Sequence, residues 1–266
     1  AMFLYGMSAM GDGLTKLSGG KLEYLLEKLT SKRIMAVLLA AGVTAVIQSS
    51  SATTVMVVGF VNSGIMKLNQ AVGIIMGANI GTTITGQLIA LDVGAVAPLF
   101  AFVGVAMVVF LKKPQIHHYG NILAGLGVLF IGMEMMGSAM EPLREWPAFV
   151  NLVSTFSNPV VGILAGAAFT ALIQSSSASV GILQALALSG VIGLDSAVYV
   201  LFGQNIGTCI TAVLASIGTS RNAKRTTIIH LMFNVFGTVL FTVICMATPL
   251  TGFMQSMTPD NPAAQI

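Results

Sequence analysis

Two short polar stretches inside long apolar segments carry residue types that could bind ions. Residues 48–52 read Gln-Ser-Ser-Ser-Ala, and residues 174–178 repeat the same five residues. Hydroxyl and amide groups are costly in hydrocarbon unless they have partners, so polar groups kept there mark a functional site by default. A serine that follows a helix break is also a good N-cap, and the next helix directs free N–H groups toward an anion at the break.

Two further motifs add uncharged oxygen ligands. Residues 77–83 read Gly-Ala-Asn-Ile-Gly-Thr-Thr, and residues 203–209 read Gly-Gln-Asn-Ile-Gly-Thr-Cys. Amide, hydroxyl and freed carbonyl oxygens suit hard monovalent cations such as sodium. None of the four motifs contains Lys or Arg, so an anion bound here would be held by amides, hydroxyls and accompanying cations. An oxyanion with sodium is consistent with these groups, although spacing alone does not establish the pair.

The composition places these motifs in a membrane protein. Hydrophobic residues make up 55% of the chain and charged residues only 8%, against about 25% charged in soluble domains. Long apolar segments without alternation predict helices, so the fold class is an all-α polytopic membrane protein. The net charge of +3 comes from basic residues in short loops, which membrane orientation explains better than nucleic-acid binding. We therefore expect no nucleic-acid partner.

The chain is an internal repeat. A shift of 126 positions places residues 48–52 on 174–178 and residues 79–82 on 205–208 without a gap. Each half contains four apolar stretches: 1–15, 34–62, 69–91 and 96–111, then 120–140, 160–188, 195–217 and 226–247. We divide the chain into a first repeat at 1–113 with a truncated N-terminus, a cytoplasmic linker at 114–119, a second repeat at 120–248 and a C-terminal tail at 249–266.

The apolar arms that flank each serine run are too short to cross a membrane. The 14 residues 34–47 reach roughly 21 Å as a helix, short of the roughly 30 Å hydrocarbon core. Two such arms predict a re-entrant hairpin in each half, and one long helix with central serines remains the alternative. The glycines of residues 77–81 and 203–207 predict a broken transmembrane helix in each half. Leucines at helical spacing in residues 21–29 predict an interfacial or a soluble connecting helix.

Loop charges indicate that the two halves have opposite orientations. With three crossings per half, eleven Lys and Arg residues fall on one side and Arg144 alone on the other; with four crossings per half the split is nine against three. The positive-inside rule favours the first arrangement, which is a pair of inverted-topology repeats. It predicts a multi-pass protein of the cell (inner or plasma) membrane with cytoplasmic basic loops and extracytoplasmic termini.

The paired Gln-Ser-Ser-Ser motifs, each followed by Gly-Xaa-Asn-Ile-Gly-Thr, resemble the type II sodium-dependent phosphate cotransporter family in its compact bacterial form. The resemblance covers nearly the whole chain. It implies secondary active symport of inorganic phosphate with sodium into the cell, by an elevator-like movement of the hairpins against a scaffold. The implied partners are phosphate, sodium as the co-transported ion and membrane lipid, with no organic cofactor, and a homodimer is left open.

The resemblance also implies which residues bind each ion. The phosphate contacts carried over by motif are Ser49, Ser50, Asn79, Ser175, Ser176 and Asn205. The sodium ligands carried over are Gln48, Ser51, Thr53, Thr82, Thr83, Gln174, Ser177, Ser179 and Thr208. The halves are not equivalent in oxygen ligands, because Thr54 aligns with Val180 and Thr83 aligns with Cys209.

Two other functions compete with phosphate symport. The site could serve another oxyanion or a small carboxylate, coupled to sodium or to protons. An intramembrane serine enzyme with Ser49 or Ser175 as nucleophile would need a neighbouring base, and neither serine motif contains His, Lys or a carboxylate. We therefore predict a transporter and not an enzyme.

Overall fold

The computed structural model describes residues 1–18, 24, 26, 33–91 and 94–266. The segment 21–29, apart from Tyr24 and Leu26, lies outside the described residues. The helices are α1 (Met2–Ser18), α2 (Arg33–Ile47), α3 (Ser50–Asn62), α4 (Leu68–Ile89), α5 (Ala97–Phe110), α6 (Pro114–Met140), α7 (Pro147–Ser154), α8 (Pro159–Ile173), α9 (Ser176–Leu188), α10 (Leu194–Gly207), α11 (Cys209–Ala215), α12 (Arg221–Ala247), α13 (Leu250–Met257) and α14 (Pro262–Gln265). Short 3₁₀ turns occur at Gly94–Val96, Glu141–Glu145 and Thr155–Ser157.

The described part of the chain is all-helical and contains helices that could span a membrane. Four helical segments are long and apolar enough to cross: α4, α6 with the turn after it, α10 together with α11, and α12. A fifth results if the segment Pro147–Ser157 and α8, which meet at 108°, count as one span. Helices cover each of the eight predicted apolar stretches, whereas α7, α13 and α14 lie outside them, and residues 114–119 form the first turns of α6. The prediction of a polytopic helical membrane protein is therefore confirmed.

The same helix pair forms in both halves. In the first half α2 packs along α4, and in the second half α8 packs along α10. The approach is close because glycines face small residues, which is how helices associate in membranes. A Cβ added to Gly81 would lie 2.7 Å from Thr44 Cβ, and one added to Gly207 would lie 2.8 Å from Thr170 Cβ. These two contacts are equivalent under the 126-residue shift.

This packing corrects the prediction of two broken helices. In the first half α4 runs without interruption from Leu68 to Ile89. In the second half the helix is interrupted only at Thr208, between α10 and α11. The glycines that predicted a break instead let α4 and α10 approach their neighbours, and this packing offsets the propensity cost of roughly 1 kcal/mol for each glycine.

Helices from the two halves interleave. The N-terminal helix α1 packs along α6, and α6 also packs along α5. Helix α3 contacts α11 and α12 of the second half, while α9 contacts α4 of the first half. The first turns of α3 and α9, which carry the serine motifs, therefore lie between the halves.

Candidate functional site

Each serine motif begins with a glutamine in the left-handed backbone region. Gln48 and Gln174 both have φ of 59°, and within the described ranges they are the non-glycine residues with positive φ. A long side chain in this region is uncommon and costs about 1–2 kcal/mol. Such strain is typical of a position held by function, and it occurs at both equivalent turns.

The residue after each glutamine caps the following helix. Ser49 Oγ accepts a hydrogen bond of 3.1 Å from the Ala52 N–H, and Ser175 Oγ accepts one of 3.2 Å from the Ala178 N–H. Neither helix has an acidic residue in its first turn. The caps engage one N–H each, so the first N–H groups of α3 and α9 keep their capacity to bind an anion.

The chain bends sharply at both turns. Thr44 Oγ1 donates to Thr53 Oγ1 at 3.1 Å, and Thr170 Oγ1 donates to Ser179 Oγ at 2.9 Å. In a straight helix residues nine positions apart are separated by roughly 13.5 Å along the axis. Hydroxyls this close therefore exclude one straight helix and require a sharp bend between α2 and α3, and likewise between α8 and α9.

The two turns meet between the halves. Ser50 Oγ lies 3.5 Å from Ser176 Oγ, and both side chains are buried. Since these residues begin α3 and α9, the positive ends of two helix dipoles face each other. Like dipole ends repel, so an anion between them would be stabilised by both helices. These are the N-termini of α3 and α9; α4 is continuous and contributes no helix terminus here.

The two glutamines differ in their surroundings. The Gln48 side chain is buried; its Oε1 accepts a 2.9 Å hydrogen bond from Thr85 Oγ1, and its Nε2 donates to the Ala45 carbonyl. Gln174 is exposed, and the counterpart of Thr85, Thr211, instead donates to the Thr208 carbonyl. The first turn is therefore hydrogen-bonded to α4 through Gln48, whereas the glutamine of the second turn is exposed.

A second group of predicted residues surrounds a cavity of about 240 Å³ between α4, α9 and α10. Asn79 and Asn205, which are equivalent in the two halves, both line it, together with Thr82 and Thr83. The paired serines do not line this cavity. The structure thus places the predicted phosphate residues at two locations, the serine pair and the asparagine cavity. A larger cavity of about 1030 Å³, which contains Glu134, shares Ala90 and Ala263 with it.

The predicted sodium ligands are mostly engaged as hydrogen-bond donors within their own helices. Thr82 Oγ1 donates to Ala78 O at 3.0 Å, Thr83 Oγ1 to Ile80 O at 2.7 Å, and Thr208 Oγ1 to Gln204 O at 2.9 Å. Thr53 Oγ1 donates to Ser49 O at 3.2 Å. A hydroxyl that donates one hydrogen bond keeps its lone pairs, so each of these oxygens can still coordinate a cation. Ser177 is buried beside Ser176, and Ser51 is half-buried.

Four polar residues at these locations were not among the predicted site residues: Thr85, Gln87, Gln184 and Gln204. Gln87 and Gln184 line the asparagine cavity. Gln184 Nε2 donates to Gly86 O at 3.2 Å and to Ala263 O at 2.9 Å. A sequence signal existed for Gln204, which stands inside the Gly-Xaa-Asn-Ile-Gly-Thr motif, and for Thr85, which aligns with Thr211. The other two have no such marker.

Comparison with known proteins gives a family match over most of the chain. The sequence model of the Na+/Pi-cotransporter family matches residues 2–138 and 147–257. The chain is 34% identical over 265 residues to the uncharacterized protein YqeW of Bacillus subtilis, covering 99% of this chain and 85% of that protein. No solved structure matches the chain.

Relatives named for phosphate transport are longer. YjbB of Salmonella typhimurium, a candidate inorganic phosphate export protein, is 26% identical over 258 residues, covering 97% of this chain and 47% of that protein. The sodium-dependent phosphate transport protein 2C of Homo sapiens is 38% identical over 135 residues, covering 47% of this chain and 22% of that protein. The chain thus spans less than half the length of each of these two relatives.

Proposed function

The chain belongs to the Na+/Pi-cotransporter family, and we propose that it carries inorganic phosphate into the cell by secondary active symport with sodium. The family is one of transporters and not of enzymes, and the human relative is named a sodium-dependent phosphate transport protein. The chain is a multi-pass helical membrane protein.

The observation that carries the proposal is the contact between Ser50 and Ser176. Their hydroxyls lie 3.5 Å apart at the first residues of two helices, with no acidic side chain in either first turn. A tetrahedral oxyanion between these helices would accept hydrogen bonds from serine hydroxyls and backbone N–H groups of both halves. We assign Ser49, Ser50, Ser175 and Ser176 to phosphate, and Asn79 and Asn205 to phosphate where it passes the asparagine cavity.

Sodium would compensate the anion's charge. The candidate site contains amides and hydroxyls but no Lys or Arg in any of its motifs, so an anion there needs cations to offset its desolvation. Neutral oxygens are ligands that sodium accepts. We assign these ligands to Gln48, Ser51, Thr53, Thr82, Thr83, Gln174, Ser177, Ser179 and Thr208.

We infer that the two halves are inverted repeats, each with a re-entrant hairpin. The sharp turns at Gln48 and Gln174, the short arms beside them and the lysine and arginine distribution support this arrangement. The repeats occupy residues 1–113 and 120–248, with basic loops in the cytoplasm and the termini of this chain outside. An elevator-like movement would carry the paired hairpins past the scaffold and expose the site to each side in turn.

The proposal is tested with purified protein in liposomes and radiolabelled phosphate. An imposed inward sodium gradient should drive phosphate accumulation, and replacing sodium with choline should abolish it. Phosphate flux of equal rate in both salts would overturn the sodium coupling, and no flux of any kind would overturn phosphate transport. Sulfate, arsenate or dicarboxylates that compete with radiolabelled phosphate would identify another oxyanion or a carboxylate as the substrate. Phosphate flux driven by a proton gradient would identify proton coupling.

Export of phosphate is a second candidate, favoured by the similarity to YjbB over 97% of this chain. A secondary transporter moves its substrate down the combined gradient, so the same site can serve either direction. Right-side-out and inside-out vesicles that contain the protein distinguish the two. If the protein imports phosphate, sodium-driven phosphate flux should be faster from the extracytoplasmic face than from the cytoplasmic face. If it exports phosphate, phosphate should be released from the cytoplasmic face without sodium.

A further inference from the structure

Gln204 is a buried amide whose carbonyl oxygen lacks a partner. It lies on α10 with 2% of its surface exposed. Its Nε2 donates to the Ser179 carbonyl on α9 at 3.1 Å. Its Oε1 is buried and accepts no hydrogen bond from the protein. Since the Ser179 carbonyl can only accept, the amide nitrogen must face it, and this fixes the direction of the oxygen.

The residue that accepts from this amide, Ser179, and the residue four positions after Gln204, Thr208, both carry buried hydroxyls. Thr170 Oγ1 donates to Ser179 Oγ at 2.9 Å, and Thr208 Oγ1 donates to the backbone carbonyl of Gln204 at 2.9 Å. The Thr170, Ser179 and Thr208 side chains are buried, with exposures between 0% and 2%. The hydroxyls of Ser179 and Thr208 keep lone pairs after these hydrogen bonds. The unpaired side-chain carbonyl of Gln204 thus lies on a residue whose amide and backbone are hydrogen-bonded to Ser179 and Thr208, two residues with hydroxyls that can still coordinate a cation.

The first half has no equivalent of this amide. The position that corresponds to Gln204 is Ala78, which is fully buried and carries no polar group. The hydroxyl pair of the hairpin is present in both halves, as Thr44 with Thr53 and as Thr170 with Ser179. The two halves therefore share a hydroxyl framework but differ by one buried carbonyl oxygen.

A buried carbonyl oxygen without a hydrogen-bond partner destabilises the protein unless a ligand binds to it. Most buried polar side-chain atoms have a partner, and each exception calls for an explanation. We propose that Gln204 Oε1 is a ligand of a monovalent hard cation bound in the second half, and that the first half lacks this ligand. This inference rests on the proposed sodium symport and deepens it, because it makes the cation sites of the two halves unequal.

The test compares three variants of the purified protein by sodium-induced thermal stabilisation, with choline chloride as the reference salt. Gln204→Met keeps the length of the side chain and removes the oxygen. Gln204→Glu keeps the oxygen and, when ionised, removes the donor to Ser179. The control Thr238→Val removes another buried hydrogen bond to α10, from Thr238 Oγ1 to the Phe202 carbonyl at 3.0 Å.

Gln204→Met removes one ligand of the ion, whose contribution should equal that of a hydrogen bond to a charged group. The sodium concentration that gives half-maximal stabilisation should therefore be about tenfold higher, or more, in Gln204→Met than in the wild type. Gln204→Glu should respond at or below the wild-type sodium concentration, and Thr238→Val should respond as the wild type does. In flux assays Gln204→Met should show the same shift for sodium, while half-saturating phosphate at saturating sodium stays unchanged.

Two results would overturn the role of Gln204 as a cation ligand and leave the proposed sodium symport intact. A wild-type sodium response in Gln204→Met would remove its role as a ligand. Equal losses in Gln204→Met and Gln204→Glu would show that only the hydrogen bond to Ser179 matters. Absence of any sodium response in the wild-type protein would instead overturn the sodium coupling of the proposed function together with this inference.

Discussion

Ser50 Oγ and Ser176 Oγ lie 3.5 Å apart, although 126 residues separate them in the chain. Each serine is the repeat counterpart of the other. The two halves therefore meet at residues that are equivalent under the 126-residue shift. At the candidate anion site, each half thus contributes one serine hydroxyl.

Cysteines at these two positions should form a disulfide. In a background with Cys209→Ser and Cys245→Ser, the pair Ser50→Cys and Ser176→Cys should cross-link under mild oxidation, because the side-chain atoms already lie 3.5 Å apart. Bound phosphate should slow the reaction by occupying the space between them. Protease cleavage between the halves followed by non-reducing electrophoresis measures the cross-link, with each single cysteine as control. No cross-link in the double variant would contradict the pairing.

An aspartate cap should separate helix stability from anion binding. Aspartate is as good an N-cap as serine, so Ser49→Asp should keep the stability of α3, whereas Ser49→Ala should lose about 1 kcal/mol. The new carboxylate would repel phosphate at the same helix terminus. We expect wild-type thermal stability with loss of phosphate flux in Ser49→Asp. Phosphate flux at the wild-type rate in that variant would exclude Ser49 from the anion site.

Replacing the strained glutamines with glycine should distinguish a folding role from a transport role. Glycine relieves the left-handed strain of about 1–2 kcal/mol at φ of 59°. Gln174→Gly should therefore be as stable as the wild type or more stable, while Gln48→Gly also loses the hydrogen bond to Thr85. Both should lose sodium-dependent phosphate flux. Flux retained in both variants would mean that the glutamines only shape the turn.

The close approach of α4 to α2 should make Gly81 intolerant of a side chain. A methyl group there would lie 2.7 Å from Thr44 Cβ, so Gly81→Ala should destabilise the protein by about 1–3 kcal/mol through overpacking. Gly59→Ala is the matched control, since nothing lies within 4 Å of its added Cβ, and it should stabilise α3 by up to about 1 kcal/mol. Thermal unfolding in detergent compares them; equal stability would contradict the helix packing.

The features of the fold that are encoded locally could be predicted from the sequence. Apolar runs predict helices, and a serine after a break predicts the N-caps at Ser49 and Ser175. The 126-residue shift predicts that the two motifs share one geometry, and Gln48 and Gln174 do adopt the same turn.

Features that depend on distant neighbours could not be predicted. The glycines of α4 are unfavourable for an isolated helix, and only the packing of α2 against them keeps the helix continuous. The hydrogen bond between Gln48 and Thr85 joins residues 37 positions apart. The asparagine cavity likewise depends on how α4, α9 and α10 cross, which the residue order does not encode locally.

Equilibrium binding of radiolabelled phosphate to the purified protein tests most directly whether the two serines form one sodium-dependent anion site. We expect saturable binding in sodium chloride and little in choline chloride. Ser50→Ala and Ser176→Ala should each weaken binding about tenfold or more, the strength of one hydrogen bond to a charged group, whereas Ser63→Ala, at an exposed position, should not. Wild-type affinity in both variants, or equal binding in the two salts, would contradict the account.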